Sequence, residues 1–234
     1  MSEHMALENL TVLDLTRVLA GPFCTMMLAD MGANVIKIEV PKGGDDTRSY
    51  PPFRAKNLNG ERESVYFANI NRNKKGITLN LKAPEGKEIF KELVKKADIV
   101  VENYRPGVMD KLGLGYDVLK EINPRIIYAA VSGFGCYGPY HLRPGYDILA
   151  QAMGGMMSIT GSKGGEPTRA GSALGDILGG LHVTIGILAA VNARTITGKG
   201  QRVDVSLMDS MIAATENTAL KYICLLYTSD AADD

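Results

Sequence analysis

One aspartate, Asp176, stands where a carboxylate can do covalent chemistry. It lies in the run 173–180 (ALGDILGG), just before the longest apolar helix that the sequence predicts, 177–197. An Asp at this position often caps a helix, because its carboxylate accepts the free N–H groups of the first turn. A carboxylate at a helix N-terminus is also ionised and can attack an acyl group, and the small neighbours leave room for a bulky reactant. Both roles are compatible, and the local pattern by itself favours the cap.

Basic side chains follow several of the predicted strands. They are Arg17, Lys74, Lys75, Lys82, Arg105 and Lys111. Ligands of α/β proteins lie at the carboxyl ends of parallel strands, so this placement favours an anionic ligand over plain surface charge. The three histidines are isolated in the sequence and have no spaced partner, so no metal site is predicted.

A glycine-rich segment, 133–138 (GFGCYG), matches the pattern GxGxxG and follows a predicted strand. Dinucleotide binding requires a helix that begins at the third glycine, because the free N–H groups of that helix hold the pyrophosphate. Pro139 and Pro144 follow instead. A turn-rich loop is the better interpretation.

Strand and helix periodicities alternate along the chain. Strands are predicted at 11–15, 34–38, 76–81, 98–102, 126–131 and 201–206, and helices at 23–31, 85–96, 108–112, 116–121, 148–157, 177–197 and from 208 onward. The composition of residues 41–72 indicates a long surface excursion. The alternation predicts an α/β fold with a mainly parallel sheet and flanking helices.

Composition narrows the class of protein. The 234 residues include 26 Lys and Arg against 26 Asp and Glu, and this zero net charge argues against nucleic acid or a membrane surface as a partner. The three cysteines are scattered and fit a reducing compartment. No apolar run reaches the length of a membrane span, and the N-terminus lacks the apolar core of a signal peptide. We therefore expect a cytoplasmic enzyme or binding protein.

The last eleven residues, 224–234 (CLLYTSDAADD), do not continue the pattern. They resemble the translation of an adapter used in preparing sequencing libraries. We expect a non-native tail and a natural sequence that is interrupted near Ile223, so that the chain is a fragment.

Six collinear motifs resemble the family III CoA-transferases, the CaiB/BaiF family. The motifs are 12–22 (VLDLTRVLAGP), 32–39 (GANVIKIE), 71–75 (NRNKK), 101–107 (VENYRPG), 133–135 with 144–147 (GFG and PGYD), and 198–206 (GKGQRVDVS). Members include formyl-CoA, carnitine and bile-acid CoA-transferases and the related α-methylacyl-CoA racemases. The resemblance implies that residues 7–223 are the N-terminal portion of a Rossmann-like large, CoA-binding domain. The small domain and the returning C-terminal segment of the family would be missing.

The resemblance also implies a mechanism and a site. Asp176 matches the family's nucleophilic aspartate, which moves CoA from an acyl-CoA donor to a carboxylic acid through aspartyl anhydride and aspartyl-CoA thioester intermediates. CoA is then a substrate, and no permanently bound cofactor is expected. Members resemble interlocked homodimers. The positions that match CoA-contacting segments are Arg17, Val18, Leu19, Ala20, Leu79, Asn80, Leu81, Lys82, Asn103, Tyr104, Arg105 and Lys111, and Tyr146 and Asp147 match further site positions.

Two positions depart from particular members of the family. Val40 stands where formyl-CoA enzymes carry Arg, which argues against formyl-CoA. Tyr146 stands where the racemases carry a catalytic His, and a phenol with a pKa near ~10 is a poor base at neutral pH. A transferase is favoured; a racemase or epimerase and an inactive CoA-binding fragment are the alternatives. The donor and acceptor acids are not predicted.

Overall fold

The computed structural model describes residues 4–54 and 62–225. Six strands form one sheet in which every neighbouring pair is parallel. These strands are β1 (Thr11–Asp14), β2 (Asn34–Glu39), β5 (Lys75–Thr78), β6 (Ile99–Glu102), β7 (Ile127–Ser132) and β8 (Arg202–Ser206); β3 (Phe53–Arg54) and β4 (Glu63–Ser64) form a small hairpin. The helices are α1 (Ala20–Asp30), α2 (Val65–Ile70), α3 (Pro84–Val94), α4 (Val108–Leu112), α5 (Tyr116–Ile122), α6 (Asp147–Met153), α7 (Leu174–Thr197), α8 (Leu207–Ala214) and α9 (Asn217–Leu225).

The central strands β1, β6 and β7 are buried on both faces of the sheet, which explains their nearly continuous apolar sequences, whereas the edge strand β5 is exposed. Successive side chains of a strand point to opposite faces. Val12 therefore packs in one apolar core with α1 and α7, and the next residue, Leu13, packs in a second core with α3 and α5. The predicted α/β sheet with flanking helices is confirmed, and the strands of the main sheet are parallel throughout.

The order of the strands defines where a ligand site is expected. Across the sheet the order is β5-β2-β1-β6-β7-β8. The chain thus winds outward in one direction from β1 to β5 and then returns to the centre with β6. The direction reverses between β1 and β6, and the loops that follow these two strands diverge there and leave a crevice at the carboxyl edge.

Several predicted elements were wrong in their extent. The helix expected at 148–157 ends at Met153, because Gly155 has a left-handed backbone with φ +87°, and a 3-10 helix follows at Met156–Ile159. The excursion 41–72 contains a 3-10 helix at Asp46–Ser49, the β3–β4 hairpin and α2. The strand expected at 76–81 ends at Thr78.

Helix α7 is long and apolar enough to span a membrane, with a mean hydropathy of 1.8. The prediction that no apolar run reaches this length is therefore wrong by this measure. The core helices of soluble proteins pass the same test. One face of α7, which includes Val183, Ile187 and Ala190, is buried in the apolar core against the sheet. We therefore interpret α7 as a core helix.

Candidate functional site

A cleft of about 440 Å³ opens at the carboxyl edge of the sheet, where the loops after β1 and β6 diverge. Its position is the one that the strand order predicts for a ligand site. The residues that line it are Arg17–Ala20, Asn103–Pro106, Val108, Val131–Gly133, Arg143–Tyr146, Asp176 and Leu207. The cleft therefore brings together Asp176, Tyr146 and two of the four predicted CoA-contacting segments.

Asp176 is the third residue of α7 and faces the cleft. The helix begins at Leu174 with Ala173 as its N-cap, so the predicted capping role of Asp176 is wrong. Burial, together with the negative charge of Asp147, raises the pKa of the Asp176 carboxyl from 3.8 to about 7. The expectation that a carboxylate at this helix N-terminus is simply ionised is therefore wrong. At neutral pH both protonation states are populated, and the ionised form is a more basic carboxylate than an exposed Asp.

Asp147 lies behind Asp176, in the first turn of α6, and is buried. Its Oδ1 accepts the backbone N–H of Gly175 at 2.8 Å, and its Oδ2 accepts the Gln151 side chain at 2.8 Å. Asp147 therefore binds one of the free N–H groups at the start of α7 and fixes where that helix begins. It is not among the residues that line the cleft.

The glycines near Asp176 serve helix packing. A Cβ at Gly179 would lie 2.4 Å from the Leu207 side chain, and one at Gly180 would lie 2.8 Å from the Ala20 carbonyl oxygen. These residues let α7 approach α8 and α1 closely. The expectation that they leave room for a reactant is wrong for these two positions.

The cleft carries three guanidinium groups, from Arg17, Arg105 and Arg143. The first two were predicted from their places after strands, whereas Arg143 was missed because it lies inside the glycine and proline loop. Arg17 is exposed, and one of its nitrogens lies 3.6 Å from Asp46. The predicted anionic ligand has matching charges here, because Arg is well suited to phosphate oxygens.

The other predicted cations are elsewhere. Lys74 is buried and lies 3.1 Å from the Asp14 carboxylate, and Lys75 donates to the Asn34 side chain at 2.8 Å. Lys82 and Lys111 are exposed and are not among the residues that line the cleft.

The predicted CoA segment Leu79–Lys82 follows the edge strand β5 and is separated from the cleft by the position of β2 in the sheet. Leu81 is buried in the second apolar core and Leu79 packs against it. The Asn80 side chain accepts the Lys82 N–H at 3.1 Å. The roles of this segment and of Lys111 in CoA binding stay predictions.

Tyr146 is 68% exposed on the wall of the cleft, at the end of the glycine-rich loop. That loop is closed at its base, because a Cβ at Gly133 would lie 2.4 Å from the Gly145 Cα. Gly133 was predicted in a turn-rich loop and in one of the family motifs but not as a site residue, and it lines the cleft.

Sequence reasoning also missed Tyr66, in α2. Burial raises the pKa of its hydroxyl to about 12, and the nearby Asp176 carboxylate adds to the rise. The hydroxyl therefore stays protonated at neutral pH, although Tyr66 is not among the residues that line the cleft. No local signal in the sequence marks this tyrosine, since it lies within the excursion 41–72, whose composition predicts no regular element. Among residues 4–54 and 62–225, no group of three His, Cys, Asp or Glu is placed to hold a metal ion.

Comparison with known proteins identifies the family. The model of CoA-transferase family III matches residues 7–233. The chain is 48% identical to a succinyl-CoA:mesaconate CoA-transferase of Haloarcula marismortui, covering 94% of the chain and 56% of that protein. It is 46% identical to the human succinyl-CoA:glutarate CoA-transferase, covering 95% of the chain and 50% of that protein. A crystal structure of a CaiB/BaiF family protein from Brucella suis superposes with a TM-score of 0.92 at 43% identity, covering 97% of the chain and 60% of that structure.

The chain therefore belongs to the family III CoA-transferases, and the predicted family is confirmed. The chain spans about half the length of the curated relatives that it matches. The relatives carry CoA-transferase names with different acids.

Proposed function

We propose that this chain is part of an enzyme that transfers CoA from an acyl-CoA to a carboxylic acid, with Asp176 as the nucleophile. One observation supports this proposal most: the Asp176 carboxyl, with a pKa of about 7, faces a cleft that is lined by three arginines. The negative charge of Asp147 adds to the effect of burial on this pKa. A basic, partly buried carboxylate is a good acyl acceptor once it is ionised.

The proposed reaction proceeds in steps at this one carboxylate. An Asp176 oxygen attacks the thioester carbonyl carbon, the C–S bond breaks, and CoA leaves as thiolate, which gives an acyl–aspartyl anhydride. The thiolate attacks the aspartyl carbonyl carbon and expels the donor carboxylate, which leaves an aspartyl-CoA thioester. The acceptor carboxylate then displaces the thiolate to form a second anhydride. Thiolate attack on the acceptor's carbonyl carbon yields the new acyl-CoA and restores Asp176.

CoA binding is proposed for the predicted segments around this cleft. Arg17 and Arg105 would pair with CoA phosphates, and the 17–20 backbone would lie along the adenine end. CoA and acyl-CoA are substrates in this scheme, and the acids remain to be identified by experiment.

We propose that the active unit has the length of the relatives, called the full-length protein below, with 7–223 as the N-terminal portion of its large domain. An interlocked homodimer is proposed because α7 and α9 present exposed apolar side chains, including Ile185 (62%), Ile196 (82%) and Ile223 (71%). Such side chains are normally covered.

We propose a cytoplasmic location, consistent with three free cysteines. Residues 224–234 are proposed as a non-native tail, of which 226–234 lie outside the described residues, and resequencing the gene tests this.

Trapping the thioester intermediate tests the function. The full-length protein is incubated with a donor acyl-CoA and hydroxylamine, and its peptides are analysed by mass spectrometry. We expect a hydroxamate on Asp176 and loss of CoA exchange in Asp176→Ala. Asp209→Ala is the matched control, because Asp209 is likewise the third residue of a helix but is exposed outside the cleft. Normal exchange by Asp176→Ala would refute the role of Asp176, and deuterium uptake at the acyl α-carbon without exchange would indicate a racemase.

A further inference from the structure

Val18 has an unusual backbone conformation at the wall of the cleft. Its φ is +66°, in the left-handed region, where a β-branched residue is strained. Such strain persists only where the surroundings fix the backbone, and it gathers at functional sites. Val18 lies in the short connection between β1 and α1 and lines the cleft with Asp176.

Asn103 holds the residue that precedes Val18. Its Oδ1 accepts the backbone N–H of Arg17 at 2.9 Å, and its Nδ2 donates to the Arg17 carbonyl oxygen at 2.7 Å. Both ends of the carboxamide are thus bound to one residue. Asn103 follows β6 directly, so this pair of hydrogen bonds joins the two loops that diverge to form the cleft.

Asp45 holds Val18 from the other side. Its Oδ1 accepts the Val18 N–H at 3.3 Å, and its Oδ2 lies 2.9 Å from the Lys37 ammonium. The Lys37 and Asp45 side chains are only 2% and 1% exposed, and Lys37 also donates to the Thr16 carbonyl oxygen at 2.8 Å. Lys37, Asn103 and Asp45, from separate parts of the chain, therefore bind the backbone of residues 16, 17 and 18 in succession, and Lys37 and Asp45 are buried.

We propose that Asn103 and Asp45 are positioning residues that hold Val18 in its left-handed conformation and thereby shape the CoA-binding wall formed by residues 17–20. This inference rests on the proposed function. The resemblance implied only that Asn103 lies in a CoA-contacting segment. The geometry gives its side chain a different task, because its polar atoms engage the Arg17 backbone.

A double-mutant cycle tests the proposal through CoA affinity, measured by isothermal titration calorimetry on the full-length protein. In Asn103→Ala the loop loses both hydrogen bonds to Arg17, and Val18 is expected to leave the left-handed region. CoA affinity should then fall about tenfold or more, because the conformation that binds CoA becomes a minor one. Glycine adopts either sign of φ about equally, so in a Val18→Gly background the same Asn103→Ala change costs only about twofold. Such coupling is what contacting, interdependent residues show.

Asn123→Ala is the matched control. The Asn123 carboxamide donates to the carbonyl oxygens of Val94 and Ala97 at 2.9 Å, but it precedes β7 and lies at the opposite edge of the sheet. Its loss is expected to lower the melting temperature without changing CoA affinity. If Asn103→Ala does not fold, Asn103→Asp replaces it in the cycle. Asp keeps the oxygen that accepts the Arg17 N–H but loses the N–H donor to the Arg17 carbonyl oxygen, so the expected losses of CoA affinity are smaller.

The possible results distinguish a wrong role for Asn103 from a wrong proposed function. A loss of CoA affinity from the Asn103 substitution that is equally large in the wild-type and Val18→Gly backgrounds would overturn the positioning role and favour a direct contact with CoA. A wild-type protein that does not bind CoA would instead refute the proposed function, and this inference with it.

Discussion

Replacing Asp176 by asparagine should stabilise the protein at alkaline pH and leave its stability almost unchanged near pH 4. Burial, with the charge of Asp147, raises the folded-state pKa of Asp176 from 3.8 to about 7. Between these values the folded protein keeps a proton that the unfolded chain has lost, so the free energy of unfolding of the wild type falls as pH rises and reaches its full loss above about pH 7. At about 1.4 kcal/mol per pH unit, the full loss is about 4 kcal/mol. Water in the open cleft makes this an upper figure.

The measurement is the melting temperature of the full-length wild type and Asp176→Asn at about pH 5 and pH 8. The advantage of the variant should grow by several degrees between the two, since 1 kcal/mol shifts the melting temperature by roughly 2–4 °C in chains of 150–250 residues and by less in longer ones. Asp209→Asn is the control at the equivalent position of α8. Its exposed carboxylate favours the helix N-terminus, so its neutralisation should cost about 0.3–1 kcal/mol at both pH values. An Asp176→Asn advantage that is equal at both pH values, or negative at pH 8, would refute the reasoning.

Three further outcomes are expected of the full-length protein. In steady-state exchange assays, kcat/KM should rise with pH through about 7, because attack requires ionised Asp176. Asp147→Asn removes a negative charge near Asp176 and should move the midpoint of this rise to lower pH. An unmoved midpoint would contradict the coupling between the two carboxyl groups. Arg105→Ala should raise KM for acyl-CoA by about tenfold or more with kcat nearly unchanged, since a charge-assisted hydrogen bond is worth about 1.5–3 kcal/mol; a loss confined to kcat would exclude a phosphate contact. Gly145→Ala places a Cβ 2.5 Å from the Gly133 Cα and should lower the free energy of unfolding, measured in urea, by about 1–3 kcal/mol. Gly76→Ala is the control and should be neutral, because a Cβ at Gly76 meets open space. Equal stability of the two variants would show that the backbone at the base of the loop moves apart at no cost.

The centre of the sheet was predictable from the sequence because β1, β6 and β7 each carry an apolar run, whereas the exposed edge strand β5 does not, and its predicted bounds were wrong. β1 and β6 are short, but their residues alternate between two buried faces, and that pattern is local. The carboxyl-edge position of the site follows from the parallel order alone.

The details that set the chemistry were not predictable, because they depend on contacts between distant residues. The start of α7 is fixed by Asp147, 28 residues before Gly175, so the local pattern placed Asp176 at the cap. The conformation of Val18 depends on Asn103, whose contact with Arg17 joins residues 86 apart. The proximity of Tyr66 to Asp176 likewise needs the folded chain.

The closed base of the glycine-rich loop has a consequence for how this protein can diversify. The chain enters at Gly133 and leaves at Gly145 in direct backbone contact, so the residues between them form a module with a fixed attachment point. Insertions, deletions or exchanges at the exposed tip of the loop, 137–142, need not displace β7, which precedes the loop, or α6, which follows it, whereas Phe134 is buried and Cys136 is hydrogen-bonded to Asp204. Because Arg143 and Tyr146, which follow this tip, line the cleft, the loop is a natural place to graft the corresponding segments of relatives.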